Sequence, residues 1–110
     1  MTVRVYIPIY NQYITFLIKP TNAELNRYKV TSTAEDLAKS EACTYSHGIV
    51  VFYTNPTVGT IAHETFHAVS YLCKYIGLKW TSDNEEAYAY LIDYVTEEFY
   101  KKFKVKINKK

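Results

Sequence analysis

The sequence predicts an α+β fold, a small and mainly antiparallel sheet with two helices packed on it, and three observations carry that prediction. Apolar residues alternate with others along residues 3–9, and a second strand-forming run at 13–18 follows closely enough to close a hairpin. A continuous apolar run occupies 48–53, bounded by Gly48 and by Asn55-Pro56. Two longer segments, 55–76 and about 82–101, instead repeat their apolar residues at helical spacing.

In the first strand Val3, Val5, Ile7 and Ile9 share one face, and Pro8 places the strand at a sheet edge or close to its own end. Asn11-Gln12 serves as the turn, and Lys19-Pro20-Thr21-Asn22 ends the second strand. Residues 21–46 are the least apolar part of the chain. There Ser32 and Glu35 fit a capping box, predicting a short helix over 33–42 with Leu37 and Ala38 as its apolar stripe, a surface connection or a cover for a cleft. After the strand at 48–53, Asn55 is a good N-cap and Pro56 suits the first helical position. In the helix that follows, Ile61, Ala62, Thr65, Phe66, Ala68, Val69, Leu72, Cys73 and Ile76 form the apolar face. His63, His67, Ser70 and Lys74 lie opposite, and Gly77 is the stop. Ser82 and Glu85 form a second capping box at the head of the last helix, whose apolar face is Tyr88, Leu91, Ile92, Val95 and Phe99.

A chain of 110 residues, 48% apolar and 22% charged, supports one folded domain spanning 1–110 and excludes a disordered chain. No apolar run reaches the length of a membrane span. Met1-Thr2-Val3-Arg4 leads into strand alternation instead of a signal-peptide core, so a cytoplasmic protein with no membrane partner is expected. Cys43 and Cys73 are accordingly expected as free thiols. The net charge of +2 conceals an asymmetry, because six of 13 bases fall within 101–110, leaving seven against 11 acids before them. That Lys-rich tail, in which Phe103, Val105 and Ile107 alternate with Lys104 and Lys106, reads as a solvated tail or a lysine-guarded edge strand. A nucleic-acid partner is the less favoured reading, for want of interleaved aromatics.

Chemistry enters at His63-Glu64-Thr65-Phe66-His67. Histidines four apart on a helix project side by side, so both imidazoles reach one metal ion, and the intervening glutamate is placed to act on water without being a ligand. The histidines lie off the apolar stripe, on a surface that another element must cover. The next helix supplies the acids: Glu85 has a capping role, whereas Glu86, Tyr90, Asp93 and Glu97 share the face away from the apolar stripe. Glu86 is therefore the expected third metal ligand and Glu85 the alternative. Tyr53, Tyr71, Tyr88 and Tyr90 are candidate oxyanion donors, and His47 is a further candidate for oxyanion or metal contact, with an ordinary surface histidine the favoured reading.

The segment 59–67, followed by Asp83-Asn84-Glu85-Glu86-Ala87-Tyr88-Ala89-Tyr90-Leu91, resembles the zincin metallopeptidases of the gluzincin type. More narrowly, it is similar to small zinc peptidases encoded by phages and prophages, a resemblance covering about residues 57–100. It implies a minimal zincin-like domain in which His63, His67 and Glu86 hold zinc and Glu64 is the general base. It also implies that the strand at 48–53 aligns the peptide substrate as an edge strand, and that the protein resides in a bacterial host's cytoplasm or on a virion. Two departures stand out. Asn84-Glu85 matches the thermolysin-like pattern and favours Glu85, and the acid expected four residues later is replaced by Ala89 and Tyr90, leaving Asp93 to orient a histidine. The expected function is zinc-dependent hydrolysis of peptide bonds. The alternative is a catalytically inactive zincin-like scaffold used for protein binding or virion assembly.

Overall fold

The computed structural model describes residues 1–37, 39–46 and 48–108. Strand β1 (Thr2–Ile7) turns through a 3-10 segment at Pro8–Tyr10 into β2 (Gln12–Ile18), the two pairing antiparallel with Val3 opposite Phe16 and Val5 opposite Ile14. The turn closes on Asn11, whose φ of 51° is the left-handed conformation that an asparagine tolerates. Pro8 ends the strand as expected. The alternation, however, breaks there: Val3, Val5 and Ile7 are buried, while Ile9 is 79% exposed.

Two short helices follow, α1 (Asn22–Arg27) and α2 (Ala34–Leu37). The first is unanticipated, although Thr21 and Glu24 close a complete capping box around its first turn. The second is shorter than the expected 33–42, and its first-turn N–H at Asp36 is held by Thr33 instead of Ser32. Ala38, assigned to its apolar stripe, lies outside the described residues. Ala42 begins a strand instead, β3 (Ala42–Tyr45), which pairs antiparallel with β4 (Val50–Tyr53). Between them Gly48 and Ile49 both take positive φ, 73° and 47°. A β-branched residue is strained in that region, and Ile49 is held there by burial and by accepting a hydrogen bond from Thr15 N–H at 3.1 Å.

The sheet order is β1-β2-β4-β3, with β2 and β4 parallel and both other pairs antiparallel. Because β2 and β4 are central, they are covered on both faces, which explains why β4 reads as a continuous apolar run and β2, after Gln12, is interrupted only by Thr15. One face, carrying Val3, Val5, Ile14, Phe16, Val51 and Tyr53, packs under α3 (Val58–Ile76) and α4 (Glu85–Asn108). The other, with Leu17, Val50 and Phe52, is covered by Leu25 of α1 and Leu37 of α2.

Helix α3 starts two residues later than expected. Thr57, not Asn55, is the N-cap, exchanging side-chain and backbone hydrogen bonds with Thr60, and Pro56 lies outside the helix. Gly77 ends it at φ 80°, its own N–H and that of Leu78 returning to the last-turn carbonyls. Helix α4 is preceded by a 3-10 turn, Ser82–Asn84, capped by Thr81 instead of Ser82. It then continues through Asn108, so the lysine-rich segment up to that residue is helical and no edge strand forms there. Phe103 joins the core by stacking on Phe99, and the Lys102 ammonium donates to the Arg4 carbonyl. Both cysteines are free. No helix among the described residues is long and apolar enough to cross a membrane.

Candidate metal centre

Helix α3 lies across β3 and β4 and beside α4, which decides what each of its faces meets. Ile61, Thr65, Ala68, Val69, Leu72 and Cys73 are buried, and His63 is exposed, as the helical spacing predicts. Ala62 and Phe66 depart from the expected apolar face: both are exposed, Phe66 by 42%, because they lie on the flank of the helix turned away from the sheet.

The two histidines meet. Their Nε2 atoms are 3.3 Å apart and their rings are nearly edge-on, at 72°. Two nitrogens each at an ordinary zinc–nitrogen bond length from a tetrahedral ion stand about 3.3 Å apart, so the separation of the donor pair is one that zinc accepts. The same separation accommodates an Nε2–H···Nε2 hydrogen bond when one ring carries its proton on that atom.

Glu64 is 6% exposed, and its two oxygens are differentiated. Oε1 accepts a 2.7 Å hydrogen bond from the Thr44 hydroxyl on β3, while Oε2 lies 3.6 Å from His63 Nε2. A buried carboxylate needs such partners, and here one oxygen is held and the other is turned toward the histidines. Beneath it, the hydroxyls of Tyr53 and Thr65 neighbour each other, both buried, and neither makes a hydrogen bond of ordinary geometry among the described residues. Burial, then the nearby charge of Glu64, pushes the Tyr53 phenol well above its ordinary range, so it stays protonated.

Thr44 and the strand that carries it were missed by the sequence reading. The available signal was Ala42-Cys43-Thr44-Tyr45 followed, across a short Gly-containing segment, by the apolar run of β4, which is a hairpin pattern. The consequence is a correction to the substrate-aligning strand. Residues 50–53 form an interior strand, and the free edge beside the histidines belongs to β3. An open cleft of about 270 Å³ runs there, lined by Ala42, Cys43, Thr44, His63, Glu64, His67 and Tyr71.

Of the candidate phenols, only Tyr71 lines that cleft, its ring 6.5 Å from that of His67 and nearly parallel to it. Tyr53 is fully buried, Tyr88 spends its hydroxyl on the Leu78 carbonyl, and Tyr90 is 68% exposed. His47 lies outside the described residues. Glu85 and Glu86 are both exposed in the first turn of α4, and Asp93 makes no hydrogen bond to either histidine among the described residues. No group of three or more His, Cys, Asp or Glu side chains is gathered as a metal site among the described residues. Between His67 and the head of α4 stands a chain of aromatic contacts instead. Phe66 is 5.9 Å from His67 and 5.5 Å from Trp80, and Trp80 is 4.4 Å from Tyr88.

No protein-family model matches the chain, and no curated protein or solved structure is detectably similar to it.

Proposed function

We propose that this chain is a zinc-dependent peptidase that hydrolyses a peptide bond at the cleft between α3 and β3. The observation that carries the reading is the paired Nε2 atoms of His63 and His67 at zinc-ligand separation, beside a buried carboxylate held by one oxygen and free at the other. His63 and His67 would hold the metal; Glu86, or Glu85 beside it, is the acid proposed for the third position, although neither is gathered with the histidines among the described residues. Zinc, when bound, lowers the pKa of water and polarises a carbonyl.

The remaining steps belong to the chain's own residues. The Oε2 atom of Glu64 takes the proton of the attacking water and passes it to the leaving amine, so that the amine departs neutral. Thr44 keeps Oε1 occupied and so fixes which oxygen does this work. The N–H and C=O groups on the free side of β3 are available to pair with an extended peptide and lay it across the histidines. Tyr71, lining the same cleft, is the phenol proposed to donate to the oxygen on which charge develops.

Metal analysis of the purified protein, paired with digestion of a peptide library by wild type and Glu64→Gln, tests the reading. Zinc bound in both, with cleavage in wild type alone, is the expected result. Equal cleavage by both proteins overturns the role of Glu64, and bound zinc without any cleavage points to the scaffold alternative. The third ligand is tested separately. Glu86→Gln is expected to weaken zinc binding by at least about 100-fold in a chelator competition, with Glu85→Gln changing it little. The reverse pattern assigns the position to Glu85.

A further inference from the structure

On the far side of the histidines from β3 lies a second groove, of about 530 Å³, along the carboxyl-terminal half of α3. Phe66, Leu78, Trp80 and Tyr88 line it. Trp80 is 54% exposed and Phe66 42%, and because their rings contact each other they form one continuous aromatic surface. The groove is built, not incidental: Trp80 is held edge-on by both Phe66 and Tyr88, and Tyr88 is anchored by its hydroxyl to the Leu78 carbonyl at 2.9 Å. It is also continuous with the candidate metal centre, because the Phe66 ring that opens it touches His67.

Length and charge specify the occupant. Phe66, Ser70, Lys74 and Gly77 line the groove at spacings of one helical turn, so it extends about 16 Å from the histidines. About five residues of extended peptide cover that distance. Two ammonium groups, Lys74 and Lys79, stand among the lining residues, and neither forms an ion pair among the described residues. Aromatic walls with two unpaired cations match an aromatic side chain flanked by carboxylates.

We infer that this groove binds an acidic peptide segment carrying an aromatic side chain, and so holds the substrate outside the cleavage cleft. The inference deepens the peptidase reading by naming its substrate class, and it rests on that reading only for the fate of the bound peptide. Binding itself requires neither zinc nor Glu64.

Trp80 is the only tryptophan in the chain, so its fluorescence reports on this groove directly. The test titrates the full-length protein, with metal chelated, against the capped pentapeptide acetyl-Glu-Phe-Glu-Ala-Glu-amide. Control peptides carry Gln for every Glu, or Ala for Phe. Saturable quenching by the acidic aromatic peptide is expected, weakened about tenfold by either replacement and by the surface double variant Lys74→Glu/Lys79→Glu. The double variant should instead prefer a further peptide carrying Lys for every Glu, a reversal that a merely destabilised protein does not produce. No saturable response, or equal binding of acidic and neutral peptides, overturns the inference. Because the titration is run without metal, its failure is distinct from a failure to find zinc or hydrolysis, and the groove stands if Glu64→Gln binds the peptide like wild type while no cleavage is found.

Discussion

The two flanks of helix α3 differ in almost every respect. Toward β3 the helix presents Glu64 to a polar cleft in which the carboxylate has a hydroxyl partner and one free oxygen. Toward α4 it presents Phe66, Ser70 and Lys74 to an apolar groove whose aromatic walls contact one another. His63 and His67 lie on the boundary. On the proposed reading the contrast separates two tasks for one helix: the polar flank would fix a reactive group within hydrogen-bond reach, whereas the apolar flank offers area and charge. The first tolerates little displacement, and the second is graded.

The sharpest way to break that contrast is Glu64→Gln. It keeps shape while removing the proposed base, and turnover is expected to fall by about 10²–10⁴-fold with zinc content unchanged, read by steady-state kinetics and metal analysis together. A smaller loss, about tenfold in kcat, is expected for Thr44→Val, which frees Oε1, with Thr44→Ser restoring it and zinc affinity unchanged in both. Should Thr44→Val lower stability by the same amount and leave kcat alone, the hydroxyl serves the fold and not the base.

Beneath the same flank, Tyr53→Phe removes a buried hydroxyl that has no partner among the described residues. Chemical denaturation is expected to show a gain of up to about 1 kcal/mol, the opposite sign from most core substitutions. A loss instead would mean that the hydroxyl is satisfied in solution.

The smallest effect lies away from both flanks, at Glu24. Burial opposes its ionisation but is outweighed by hydrogen bonds from the Thr2 hydroxyl, the Thr21 N–H and the amino terminus, so its carboxyl titrates below its ordinary value of 4.5. A depressed carboxyl stabilises the fold above that ordinary value and ceases to do so as pH falls through the lower folded one. Screened by solvent, Glu24→Gln is therefore expected to cost no more than about 0.5 kcal/mol at neutral pH, the gap to wild type closing in acid, as denaturation at two pH values will show.

How much of this was legible beforehand varies along the chain. The hairpin, β4, α3 and the first half of α4 declared themselves through period and punctuation, since Val3, Val5 and Ile7 or Leu72, Cys73 and Gly77 face the same neighbours in any fold with these elements. The histidine pair was equally legible, because i and i+4 on a helix are adjacent whatever surrounds them. The region 21–46 was not, since a four-residue strand and a six-residue helix are too short for a period to emerge from mostly polar residues. The lysine-rich end misled because Phe103, Val105 and Ile107 alternate as in a strand, while the helix arriving from Glu85 continues through them.

By itself, then, the sequence determined the local chemistry: which helix carries two imidazoles and a carboxylate on adjoining faces, where it stops, and which residues it turns inward. Only the tertiary structure decided what those faces meet. It placed β3, not β4, at the edge beside Glu64, brought Thr44 to a carboxylate 20 positions away, and set Phe66, Trp80 and Tyr88 between His67 and the acids at the head of α4. The physical reason is one of range. Helical and strand periods are written in neighbouring residues, whereas strand order and the partner of a buried carboxylate depend on which distant segments bury their apolar faces together.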